Sequence, residues 1–192
     1  MFSTASPLVH TLLLITVVAW LLLELRQAQK QRPEATPADG GSRPVVRLSY
    51  IVGYIGAVVA DRAAPSATIG SAHLVSWTGL VVMWCGIGLR LWSFQTLGRY
   101  FTFTVQTSAD QPVISGGPYR VIRHPSYAGV LVAAVGLGLV IGNWASLATL
   151  TVAIACGLVF RITVEERALS RDLGGRYQAY AQRRKRLVPF IW

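Results

Sequence analysis

Five apolar stretches divide the chain, from about Leu8 to Leu25, Val45 to Ala60, His73 to Trp92, Tyr127 to Ile141 and Ala145 to Phe160. A helix needs about 20 residues, within a range of about 17 to 25, to cross the bilayer core. The first and third stretches meet that length. The second, fourth and fifth complete it with flanking residues. The pattern therefore predicts an all-α, polytopic bundle of five transmembrane helices, with no internal repeat. Only Gly142-Asn143-Trp144 separates the fourth and fifth stretches, which predicts a tight antiparallel hairpin with Trp144 at the interface. Gly129, Gly136, Gly138 and Gly157 lie within it, and small residues let membrane helices approach closely.

Charge gives an independent reading of the count. With five spans and an outside N-terminus, the inside segments are roughly 26–44, 93–126 and 161–192. These segments and the inner span ends hold every Lys and Arg except Arg62, 17 of the 18 in the chain. Positive charge collects on the inner side of membranes, and four or six spans would break the asymmetry. Composition agrees: 53 % of residues are apolar and 14 % charged, against roughly 25 % charged in soluble domains. The net charge of +10 sits at the ends of apolar runs, which fits anionic lipid headgroups and not nucleic acid. Cys85 and Cys156 lie singly inside apolar runs, so neither a disulfide nor a metal site is expected. No Lys or Arg precedes the first run, which reads as a retained helix and not a signal peptide.

Chemistry gathers in the inside segments. Residues 31–44 read as a flexible loop rich in Pro, Gly and Ala. Phe101, Phe103 and Val105 alternate as an extended piece would. From Gly116 to Gly129 the chain reads GGPYRVIRHPSYAG, a defined entry into span four. Pro125 pushes His124 out of helix and favours a helix start just after it, leaving amides and an imidazole at the membrane face. Such a start suits an anionic group, although Arg120, Arg123, Tyr119 and Tyr127 also suit a plain interfacial loop. Arg161 and Glu165, four apart, share one helix face, either as a border ion pair or as a functional pair. A polar helix from Arg161 to about Leu173, a break at Gly174-Gly175, and a basic helix from about Arg176 to Arg186 are expected to follow. The run Arg183-Arg184-Lys185-Arg186 reads as a headgroup contact, and the apolar tail from Leu187 to Trp192 as folded back onto the bilayer or the bundle.

Three blocks together resemble the isoprenylcysteine carboxyl methyltransferase family and its bacterial relatives: Gly117-Pro118-Tyr119 with Arg123 to Gly129, Arg161 with Glu165-Glu166 and Leu169, and Gly175-Arg176-Tyr177 with Tyr180 and the closing Arg186 to Trp192. The likeness covers about 95–192. It implies three N-terminal spans in 1–92 and a catalytic region in 93–192, where the hairpin and C-terminal helices build a cofactor site. It also implies S-adenosylmethionine at Gln106, Gln111, Pro112, Val113, Ile114, Tyr119, His124, Pro125, Ser126, Tyr127 and Glu165, with Arg161 and Glu165 as catalytic residues and Arg161 meeting the acceptor. The acceptor would be lipophilic, isoprenylcysteine-like, and would enter from the bilayer. The compact N-terminal half resembles bacterial members, which implies an inner membrane and a cytoplasmic C-terminus.

The residue types fit this chemistry. Tyr rings accommodate a sulfonium, and a carboxylate acceptor needs no base and would sit in the Arg161 fork. An amine acceptor would need Glu165 or Glu166 to take its proton. The phospholipid N-methyltransferases resemble the chain in the same two blocks, although the closing tail favours the first family. Membrane steroid-type reductases, which use NADPH, also resemble the first block, but usually carry Glu where Val130 stands. A non-enzymatic lipid-binding protein is a further alternative.

Overall fold

The computed structural model describes residues 6–29, 36–37, 40–101, 106–107, 112–189 and 192. Its helices are α1 (Pro7–Ala28), α2 (Ser42–Ala63), α3 (Ala72–Leu97), α4 (Pro125–Ile141), α5 (Trp144–Leu173) and α6 (Gly175–Gln182). Four of them, α1, α2, α3 and α5, are long and apolar enough to cross a membrane, and α4 is a shorter apolar helix of 17 residues. At 1.5 Å per residue α4 spans about 25 Å. Leu14, Ile15, Leu22, Ile55, Leu74 and Val152 are exposed on the bundle's outside, where a soluble protein would carry charge. The protein is integral to the membrane.

Small residues set the packing. Gly79 and Gly86, one heptad apart on α3, face Gly136 and Gly129 on antiparallel α4. A Cβ at Gly79 would lie 2.7 Å from Gly136 O and Val140 N, so the two backbones touch. Gly138 meets Leu147 across the α4–α5 hairpin, and Gly157 on α5 meets Ser49 on α2. The close approach expected of Gly129, Gly136, Gly138 and Gly157 is therefore real. The hairpin turn is built as expected: Gly142 takes φ +76°, and Asn143 Oδ1 caps α5 by accepting from Ala145 N (2.9 Å) and Ser146 N (3.1 Å). The Asn143 amide also donates to Ala64 O at 2.7 Å, tying the turn to the end of α2. One apolar cluster joins Val9 and Leu13 of α1 to Leu80, Met83, Ala133 and Val140. A second joins Ala57 to Val130, Ala134, Leu150, Ile154 and Leu158.

The polar stretch from Arg161 is helical to Leu173 as expected, and it continues α5 without interruption. Two expectations are corrected. The basic helix ends at Gln182 and not Arg186, because the carbonyls of Lys185 and Arg186 bond across to the chain ahead of α4. The loop 31–44 is not uniformly irregular: β1 (Thr36–Pro37) pairs antiparallel with β2 (Gln106–Thr107), the one strand pair among the described residues.

Candidate active site

The site lies where the N-terminal ends of α2 and α4 meet the C-terminal halves of α3 and α5. Residues 117–120 make a single 3-10 turn, the chain then passes His124, and α4 begins at Pro125. This segment is pinned by the C-terminal part of the chain. Ile122 bridges Lys185, Arg123 N donates to Lys185 O (2.8 Å), and His124 N donates to Arg186 O (3.0 Å). The Tyr180 hydroxyl donates to Tyr119 O at 2.9 Å, and Arg184 Nε donates to Arg120 O at 3.2 Å while its guanidinium lies over the Tyr180 ring. Burial pushes the Tyr180 phenol up to about 12, so it stays protonated and donating.

Two neighbouring carboxylates on α5 divide the work. Glu166 is buried and accepts from Arg123 Nη1 (2.7 Å), His124 Nε2 (3.2 Å) and Arg186 Nε (2.8 Å). Glu166 is thus committed to structure. Glu165 is half-buried and accepts one hydrogen bond, 2.7 Å, from the Tyr127 hydroxyl. The same hydroxyl accepts from Arg161 Nε at 3.3 Å. Arg161, 4 % exposed, also donates to Ser42 Oγ of α2 at 2.5 Å. The His124 ring stacks on Tyr127, 5.6 Å between centroids and 18° between planes, and its Nδ1 lies 3.9 Å from Glu165.

Beside this group a cavity of about 250 Å³ opens among Leu21, Glu24 and Leu25 of α1, Arg43, Val46, Arg47 and Tyr50 of α2, Arg90, Phe101, Tyr127, Leu158 and Arg161. It is mostly apolar, and four arginines with one glutamate edge it.

The structure brings together Arg161, Glu165, His124 and Tyr127, four of the residues that the sequence singled out. Pro125 is fully buried beneath them, and Ser126 faces Arg90. Tyr119 is buried, and its carbonyl accepts from the Tyr180 hydroxyl. Val113 packs on the Leu173, Tyr177 and Tyr180 cluster, while Pro112 is exposed and Ile114 half-buried. Gln106 contributes its backbone to β2. Its side chain, and Gln111, lie outside the described residues. The sequence reading missed Glu24, Ser42 and Arg90. Arg90, 5 % exposed, makes a forked pair with Glu24 (2.5 and 2.8 Å) and donates to Ser126 Oγ at 2.8 Å. Lone charges inside apolar runs one and three were the available signal. Among the described residues no cluster of metal ligands forms.

Comparison with known proteins places this geometry. The model of the phospholipid methyltransferase family matches residues 74–176, from α3 to the start of α6. The chain belongs to that family. Family membership therefore reaches back through α3, further than the motif blocks alone. A probable protein-S-isoprenylcysteine O-methyltransferase of Oryza sativa subsp. indica is 34 % identical over 119 residues, 61 % of this chain and 62 % of that protein. The protein-S-isoprenylcysteine O-methyltransferase B of Arabidopsis thaliana is 33 % identical over the same length. The solved eukaryotic intramembrane Ras methyltransferase ICMT superposes with a TM-score of 0.63 at 27 % identity, over 77 % of this chain and 53 % of that one. The chain thus spans about six tenths of the length of these curated relatives.

Proposed function

We propose that this protein is a five-span, S-adenosylmethionine-dependent methyltransferase that O-methylates the carboxylate of a lipophilic, isoprenylcysteine-like acceptor. The observation that carries this reading is the Tyr127 hydroxyl between Glu165 and Arg161 at the wall of the 250 Å³ cavity. The curated relatives carry the same activity in their names.

The cofactor fits the groups present. Glu165 is the α5 carboxylate not enclosed by cations, and the His124–Tyr127 pair offers an aromatic face beside it, a setting for a cationic ligand. When bound, S-adenosylmethionine supplies an electrophilic methyl group on a sulfonium. Glu165, His124 and Tyr127 would hold it from the α4–α5 side, and Val113 and Tyr119 from the C-terminal side. Arg161 is oriented by Tyr127 and Ser42 and presents its fork to the acceptor carboxylate. That acceptor is ionised at neutral pH, so no proton need be removed. The apolar lining of the cavity takes the acceptor's hydrocarbon and excludes water, leaving alignment as the main task. The α1–α3 half supplies the outer wall of this cavity, and 93–192 supplies the reacting groups.

The arginine-rich edge argues against an ammonium headgroup, despite the family's phospholipid name. Glu166, enclosed by Arg123, His124 and Arg186, is unsuited to take a proton from an amine. The cationic hub favours an inner location for the C-terminus. Calorimetry of the detergent-purified protein tests the reading. S-adenosylhomocysteine should bind and NADPH should not, and methyl transfer to a farnesylated cysteine analogue should follow. Binding of NADPH alone would overturn it.

A further inference from the structure

Glu24 and Arg90 are charged side chains placed within membrane spans, where helix adhesion needs only apolar contact. Charges at such depth are costly, and a buried ion pair is often matched in stability by apolar residues of similar size. Adhesion alone does not account for this pair. Its geometry indicates what else it does. The Arg90 guanidinium is divided: Nε and Nη2 grip Glu24, while Nη1 donates to Ser126 Oγ. Glu24 is itself fixed by Trp20 Nε1 at 2.8 Å. At its outer end α1 is held by Val9 and Leu13, and at mid-height Trp84 donates to Thr16 at 2.9 Å. Near its C-terminal end, where Leu21, Glu24 and Leu25 wall the cavity, the Arg90 fork is a polar link to the bundle. On the other side, Ser126 precedes Tyr127, the residue that aligns Glu165 and Arg161.

We infer that Arg90 is a positioning residue that joins the α1 wall of the cavity to the first turn of α4, so that wall closure and alignment of Tyr127 occur together. The inference rests on the reading of the cavity as the acceptor site. Arg90 lines the cavity itself and reaches the first turn of α4 through Ser126.

The test is the double variant Glu24→Leu/Arg90→Leu in the full chain, with Arg90→Lys beside it. The double variant removes both charges, so it should fold with a thermal midpoint close to wild type. Turnover should fall about a hundredfold, as a misplacement of about 1 Å does, with acceptor KM raised and S-adenosylhomocysteine affinity less affected. Arg90→Lys keeps the charge but lacks the fork to hold both partners, and should not restore turnover. Hydrogen exchange needs no ligand and should quicken over residues 124–129 while α2 and the middle of α5 stay protected. Wild-type turnover and exchange in the double variant would overturn the inference. Uniform loss of protection with lowered stability would also overturn it, by reducing the pair to a structural brace. If wild-type protein failed to bind S-adenosylhomocysteine, the functional reading would fall, and the exchange measurement would still decide the coupling.

Discussion

The Tyr127 hydroxyl and Glu165 are joined by a 2.7 Å hydrogen bond that leaves Tyr127 donating to the carboxylate and accepting from Arg161. One phenol thereby fixes the spacing of an anion and a cation one helical turn apart. Tyr127→Phe keeps the ring stack on His124 and removes only this bridge. It should fold normally and lose about tenfold to a hundredfold in kcat, in line with the loss of a positioned group. Steady-state kinetics with a thermal melt checks this, and an unchanged kcat would dismiss the bridge as incidental.

Arg161→Ala should impair turnover more than cofactor binding, because the side chain lines the cavity that we propose takes the acceptor. Arg161→Lys should recover little, since an ammonium cannot offer a fork to a carboxylate while holding Tyr127 and Ser42. Parallel measurement of kcat and of S-adenosylhomocysteine affinity decides it. Equal losses in both would remove the acceptor role.

Neighbouring glutamates should respond differently. Glu166→Ala strands Arg123 and Arg186 and should destabilise the protein by about 3–5 kcal/mol, as removal of one buried partner does. Glu165→Gln keeps an acceptor for Tyr127 and should leave the melting temperature nearly unchanged while weakening S-adenosylhomocysteine binding. Thermal denaturation and calorimetry on the two variants separate the roles. A reversed pattern would exchange the assignments.

Helix contact is equally testable. Gly86→Leu should abolish folding or force α3 from α4, because even a Cβ there meets the backbone at Gly129 and Ala133. Gly88→Ala is the control, with open space around its Cβ position. Expression and gel filtration in detergent distinguish them.

The apolar helices were legible because long apolar runs have few alternatives, and the hairpin because Gly142-Asn143 leaves no room for anything else. The Arg123–Gly129 block and the Arg161–Glu165 pair were legible because prolines fix the entry to α4 and helical spacing fixes the pair. Pairings across the bundle were not. Arg90 and Glu24 are 66 residues apart, and no periodicity links them. The end of α6 was misplaced for a similar reason, since Arg183 to Arg186 suit a helix until the distant residues 122–124 claim their carbonyls.

That crossing also sets a schedule. Arg186 follows Glu166 by 20 residues and His124 by 62, yet it bonds both. When the α4–α5 hairpin has been synthesised, Glu166 and Arg123 are both present, while the segment that pins residues 123 and 124 has still to be made. The enclosure of Glu166 is therefore completed late, only once Arg186 has been synthesised and docked.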